Sequence, residues 1–146
     1  MLLFINEERS GVPLMGCTPN EMGTVKTLSV NELKRVTGIS QKQYKQVAWH
    51  TTTVTIKQIL SIQEYMETVQ NIFRDCKTPD DGVAIELLDF AIRVNIISAY
   101  AFVNFPDNID ELYYFVYASD LYDLICANAN KAQIESIKRT VKMSVR

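Results

Sequence analysis

Apolar residues along this chain recur at two spacings, and the change from one to the other marks out its elements. From Ile62 to Cys76 the positions Ile62, Tyr65, Met66, Val69, Ile72, Phe73 and Cys76 follow the i, i+3, i+4 rule without a break, which predicts an amphipathic helix. Ser61 and Glu64 stand at capping-box spacing at its start. Thr78-Pro79-Asp80-Asp81-Gly82 ends that helix and is expected to cap the next. Val83–Asn104 reads as a long helix that is apolar on nearly every side, with Glu86, Asp89, Arg93 and Asn95 as its polar marks. A helix of this kind belongs at the centre of a bundle. After the turn Asn104-Phe105-Pro106-Asp107, a helix is predicted from about Asn108 to Tyr117 and another, capped by Ser119, to about Ala127. Asn130-x-x-Gln133 opens a last helix with Ile134, Ile137 and Val141 inside and Lys138, Arg139 and Lys142 outside.

Upstream of Ser61 the pattern is mixed. Ser29-x-x-Glu32 is a second capping box, Val30, Leu33 and Val36 share one face of a short helix, and Gly38 ends it. Ser40 is expected to start another short turn with Tyr44 and Val47 as its apolar positions. From Val47 the β-branched residues crowd together, and Val54 and Ile56 alternate with Thr53 and Thr55, as a half-buried strand requires. A hairpin over about 47–58 with its turn near His50–Thr52 follows. The fold class expected is mainly α: one helical domain, 29–146, built around a central apolar helix, with a small β-hairpin and an extended N-terminal arm.

That arm, residues 1–28, has no usable period and is punctuated by Gly11, Pro13, Gly16, Pro19 and Gly23. Irregular stretches longer than about 12–15 residues are uncommon inside a packed domain. Disordered tails are polar and charged, whereas this arm carries Leu2, Leu3, Phe4 and Ile5 at its tip and Leu14, Met15, Cys17, Met22 and Val25 beyond. It therefore needs a surface to lie on, in its own domain or on a neighbouring subunit. Leu2, Leu3, Phe4 and Ile5 are accordingly expected at an interface.

Charge sharpens this picture. The net charge of −2 hides a segregation: residues 26–58 hold six Lys/Arg against one acid, 59–123 hold three against twelve, and 124–146 hold five against one. Opposite charge on different segments favours one docking register between copies of a chain. Cys17, Cys76 and Cys126 are isolated, with no metal-ligand spacing, which points to a reducing compartment and to Cys76 and Cys126 as small buried hydrophobes. The apolar start lacks a basic leader and is followed at once by Glu7, Glu8 and Arg9. The uncharged run from Val94 to Pro106 is short of the roughly 20 residues that span a bilayer. A soluble, intracellular protein is expected, with no membrane partner.

Several groups carry candidate chemistry. Leu33 to Val47 resembles a helix-turn-helix: Gly38, Ile39, Leu33 and Val47 fit, and Gln41, Lys42, Gln43 and Lys45 can read bases or phosphates. Lys34, however, stands where the two helices of that motif meet, and Tyr44 stands where Val or Ile is usual. A small DNA-binding regulator is the alternative reading. The preferred one sends Lys34, Arg35, Lys42 and Lys45 to acidic surface on a neighbouring subunit, with no sequence-specific nucleic acid. His50, the single histidine, has no ligating or nucleophilic partner near it in sequence. The acidic pairs at Asp80-Asp81 and Asp110-Glu111 suit helix starts. The run Tyr113-Tyr114-Phe115-Val116-Tyr117 is too dense for one core face, so Tyr113, Tyr114 and Tyr117 are expected partly at an interface. No phosphate loop, nucleophile elbow or metalloprotease motif occurs. The expectation is a non-enzymatic protein with no cofactor, no metal and no small-molecule substrate.

The order of a short helix ending Val36-Thr37-Gly38, the β segment Val54-Thr55-Ile56-Lys57-Gln58, the stretch Ile59–Met66, a long apolar helix, Asn104-Phe105-Pro106-Asp107 and Leu121-Tyr122-Asp123-Leu124-Ile125 resembles small proteins encoded among the head and tail structural genes of tailed bacteriophages. The resemblance covers about residues 30–146. It implies a virion component or assembly factor, such as a capsid auxiliary protein, a head–tail connector or a tail assembly chaperone. Such a protein would be assembled in the host cytoplasm and would be partnered by copies of itself and by other virion proteins.

Overall fold

The computed structural model describes residues 25–39 and 43–145. The chain divides into two units, Met1–Ile39 and Ser40–Arg146. In the first, helix α1 spans Val30–Thr37. Both halves of its capping box form: Ser29 Oγ accepts from the Glu32 backbone N–H, and the Glu32 carboxylate accepts from the Ser29 N–H. Gly38 closes it at φ 67°, a left-handed conformation that glycine adopts without strain, and donates to the Lys34 carbonyl.

The second unit is mainly α with one small antiparallel sheet, as the pattern of the sequence predicts. Strands β1 (Tyr44–Trp49) and β2 (Thr52–Lys57) pair from Tyr44↔Lys57 to Trp49↔Thr52, leaving His50 and Thr51 as the turn. His50 takes φ 53°, an uncommon backbone for a side chain of its size. The strand begins earlier than the pattern suggested: Tyr44 to Val47 lie in β1, where a helical turn was expected after Ser40. The ladder decides this, because Tyr44, Lys45 and Gln46 each find a partner on β2 that no local turn could offer. Val54 and Ile56 point into the core and their threonine neighbours point away, as expected.

Helix α2 (Ile62–Asp75) carries the second capping box, Ser61 with Glu64. Its stripe is narrower than the one read from the sequence. Thr68, Ile72 and Cys76 are buried and Tyr65, Val69 and Phe73 partly so, but Ile62 and Met66 face outward. The central helix is also shorter. Residues 77–83 fold into a tight loop in which Lys77 bridges to Val83, Thr78 N–H donates to the Gly82 carbonyl and Ala84 N–H donates to the Cys76 carbonyl. Those bonds take Val83 and Ala84 out of the helix, so Asp80 and Asp81 sit in the loop rather than ahead of a helix start. A 3-10 turn, Ile85–Leu87, leads into α3, Leu88–Tyr100. At the other end Ala101 turns extended and bridges Ile56, and Phe102 N–H donates to the Thr55 carbonyl, so the residues after α3 lie along β2 instead of extending the helix to Asn104.

Helices α4 (Ile109–Ala118), α5 (Leu121–Asn128) and α6 (Lys131–Ser144) complete the unit. Asn108 caps α4 by accepting from the N–H groups of Asp110 and Glu111, and Asn130 caps α6 by accepting from Gln133. Helix α3 touches α2, α4, α5 and β2, which makes it the centre of the unit. Leu88, Ala91, Ile92, Asn95, Ile96, Ile97 and Tyr100 are buried along it. The expected inner residues of α6, Ile134, Ile137 and Val141, are all buried, and α6 packs chiefly on α2 and α5. Buried Asn95 is satisfied by donating to Asp75 and to the Ala91 carbonyl.

Candidate interaction surfaces

The residues expected at interfaces fall into three groups in the structure. Leu2, Leu3, Phe4 and Ile5, and with them the arm to residue 24, lie outside the described residues, as does Lys42. Lys34 and Arg35 lie on α1 in the first unit, whereas Lys45 projects from β1 in the second; all three are exposed. Tyr113, Tyr114 and Tyr117 share α4 and are all exposed, Tyr114 at 70%.

Helix α1 is capped at both ends and strongly amphipathic, yet it buries none of its residues. Val30, Leu33 and Val36 are 66%, 47% and 65% exposed, and Leu28 and Ile39 on either side are exposed as well. Arg35 lies opposite Leu33, and Lys34 flanks the apolar face, as the helical repeat requires. Eight residues form a marginal helix in isolation, since stable isolated helices need about 12–15. An apolar face on so short a helix is the mark of an element that contacts something else.

The three tyrosines are not equivalent. Tyr117 is tied into its own domain. Its hydroxyl donates to Asp89 Oδ2 at 2.5 Å, and the Arg93 guanidinium lies 4.9 Å from its ring centre and 2.9 Å from Asp89. Burial, followed by the neighbouring Asp89 carboxylate, pushes the Tyr117 hydroxyl up to about 12. Burial works to raise Asp89, but the Tyr117 hydroxyl and the Arg93 guanidinium outweigh it and hold the carboxylate below its usual range. Arg93 also lies over Tyr122, so the polar edge of α3 is clamped to α4 and α5. Tyr113 packs against Phe90 and Tyr117, with ring centres 5.2 and 4.8 Å away. Tyr114 alone projects its ring away from this cluster.

Next to Tyr113 an open groove of about 490 Å³ runs between the start of α3 and the start of α4. Leu87, Phe90, Val94, Ile109, Leu112 and Tyr113 make its walls apolar, and Asp75 and Asp110 supply its charge. Ile85, Leu87, Ile109 and Tyr113 are large apolar residues left open to solvent along this edge. The sequence pattern did not reveal the groove, because it forms where the 3-10 turn displaces the start of α3. Ile109 and Leu87 could be read as unusual only once their helices were placed.

A second, polar recess of about 250 Å³ lies between α2 and α3 and includes Lys57, Glu64, Asn95 and Phe102. Lys57 is hydrogen-bonded to Glu64, and that bond, more than any other contact, holds the Glu64 carboxylate below its usual range. At the hairpin tip the single tryptophan and the single histidine meet one carboxylate: Trp49 Nε1 donates to Asp120 Oδ1 at 2.7 Å, and His50 Nε2 lies 3.4 Å from the same oxygen. This cluster fastens the hairpin to the start of α5. Buried Cys76 donates to the Ile72 carbonyl, and burial pushes its thiol up; half-buried Cys126 is raised for the same reason. Neither has the lowered thiol of a nucleophile.

The strand β1 removes the helix-turn-helix. A recognition helix would have to run from about Gln41 to Val47, but Tyr44 to Val47 are extended and paired with β2. Lys45 therefore projects from a sheet edge rather than from a helix that could enter a groove. Among the described residues no group of three or more His, Cys, Asp or Glu is placed to hold a metal ion, and no helix is long and apolar enough to cross a membrane. Compared with protein-family models, curated proteins and solved structures, the chain matches none.

Proposed function

We propose that this chain is a non-enzymatic structural or assembly protein of a tailed-phage particle that acts through protein–protein contacts. The observation that carries the reading is helix α1, fully capped, amphipathic and without a buried residue. The apolar groove beside α4 and exposed Tyr114 support it, since contiguous open apolar surface on a small domain marks a contact site. The resemblance of residues 30–146 to proteins of the head and tail gene region gives the particle. Its partners are other copies of itself and other virion proteins. Lys34, Arg35 and Lys45 serve as charge contacts to acidic surface on those partners. The protein reaches the virion after assembly in the host cytoplasm and needs neither cofactor nor small-molecule substrate.

The test uses a tailed phage whose head and tail gene region encodes the chain. A tagged copy expressed during infection is expected to sediment with particles or assembly intermediates in a density gradient. A copy lacking residues 1–25 is expected to keep its helical circular-dichroism signal and to stay at the top of the gradient. Normal particle yield from a phage with the gene deleted, and full-length chain confined to the top fractions, would overturn the proposal.

A further inference from the structure

We infer that two copies of the chain join by seating α1 of one copy in the α3–α4 groove of the other. The inference rests on the reading of the chain as an assembly protein and names the contact that such a protein would use on itself. Three observations on the two surfaces select a second copy as the occupant.

The first is shape. Helix α1 offers Val30, Leu33 and Val36 on one face, which spans about 9 Å at a rise of about 1.5 Å per residue. The groove is an open apolar trough of about 490 Å³, a size that takes a few aliphatic side chains. An amphipathic helix laid by its apolar face into such a trough is a recurrent mode of recognition.

The second is charge. Lys34 and Arg35, beside and behind the apolar face of α1, form no ion pair among the described residues. Asp110 in the groove and Glu111 next to it are likewise without an ion pair among those residues. With the apolar face of α1 seated, Lys34 at its flank meets the acidic edge of Asp110 and Glu111 while Arg35 stays on the outer side of the helix, and complementary charge of this kind fixes orientation more than affinity.

The third is economy of surface. The open face of α1 and the open groove belong to one polypeptide, so a second copy supplies a partner for each. A contact between unlike patches is heterologous: it closes when two copies exchange helices, or when several form a ring.

The experiment measures mass by light scattering after size exclusion, on the full chain over a range of concentrations. The wild-type chain is expected to reach at least twice its 16.7 kDa mass as concentration rises. Leu33→Glu and Ile109→Lys alter side chains that are 47% and 63% exposed, so each variant should keep the wild-type circular-dichroism spectrum. Each alone should need at least ~10-fold more protein to assemble, the loss expected of a central apolar anchor. Mixed one to one, the two variants should assemble at lower concentration than either alone, because one supplies an intact groove and the other an intact helix.

A wild-type chain that stays at one mass throughout would overturn the inference, and so would docking of α1 on its own chain, which gives the same result. Assembly that survives Ile109→Lys but not Leu33→Glu would mean that α1 meets α1, and a mixture with no gain would mean that unlike patches do not pair. Any of these failures leaves the gradient result for the particle untouched, so the two readings fail separately.

Discussion

Ile96→Asp is expected to leave no folded protein. Ile96 is fully buried at the middle of α3, on the helix that α2, α4, α5 and β2 surround. A carboxylate there would lose its water and find no cation. Ile97 and Ile92 beside it are buried too, so the chain has no easy way to turn the charge outward. Burying an unpaired charge costs several kcal/mol, and a domain has only about 5–15 kcal/mol of stability in all. The variant should be insoluble or lack a cooperative thermal transition. Ile96→Val, which removes one methylene group, should cost only about 1 kcal/mol and melt cooperatively. A soluble Ile96→Asp chain with an unchanged melting temperature would show that this face of α3 is open.

Gln133→Ala is the other large loss. The Gln133 amide sits where three elements converge: its oxygen accepts from the Leu60 backbone N–H at 2.8 Å and from the Tyr100 hydroxyl at 2.6 Å, and its nitrogen donates to the Leu60 carbonyl at 3.1 Å. Leu60 is buried in the loop that ends the hairpin, and Tyr100 is fully buried at the end of α3. Removing the amide leaves one donor, one acceptor and one hydroxyl without partners. Each such group costs about 1–3 kcal/mol when it cannot reach water. The expected loss is about 3 kcal/mol, read from denaturant melts. Tyr100→Phe deletes only one of the partners and should cost about 1 kcal/mol. The double variant should be barely less stable than Gln133→Ala alone, since both changes act on one network. Additive losses would mean that the two residues stabilise the fold independently.

These two residues also show what the sequence exposes and what it hides. Ile96 belongs to an unbroken apolar helix, and its burial follows from that pattern. The capping boxes at Ser29 and Ser61 and the cap at Asn130 are equally legible, because each is closed by a residue three positions away. Gln133 was legible only as the partner of Asn130 at the start of α6. Its amide reaches Leu60, 73 residues earlier in the chain, and no local pattern encodes that. The same holds for Trp49 with Asp120, 71 residues apart. The differences at Tyr44–Val47 and at Val83–Ala84 share a cause with the early end of the central helix at Tyr100. Tyr44 to Val47 became strand, and Val83 with Ala84 left the central helix, because backbone partners elsewhere offered hydrogen bonds that a helix there would have forgone. Of the candidate contact surfaces, the exposure of Tyr114 follows from the density of the aromatic run, whereas α1 shows in the sequence only as an amphipathic helix and not as one whose apolar face is open. The groove between α3 and α4 does not show there, since it depends on where two helices start.

Amide hydrogen exchange, followed by mass spectrometry on the free chain and on the chain within purified particles, bears on the assembly reading without any mutation. Helix α1 is short and buries nothing, so its amides should exchange quickly in the free chain, while those of Ile92 to Tyr100 should be slow in both states. In the particle, protection is expected to rise at Val30–Thr37, Leu87–Phe90 and Ile109–Tyr114, with the hairpin turn at His50–Thr51 little changed. Identical exchange at Val30–Thr37 and around Tyr113 in the free and assembled chain would contradict the assignment of these faces to assembly.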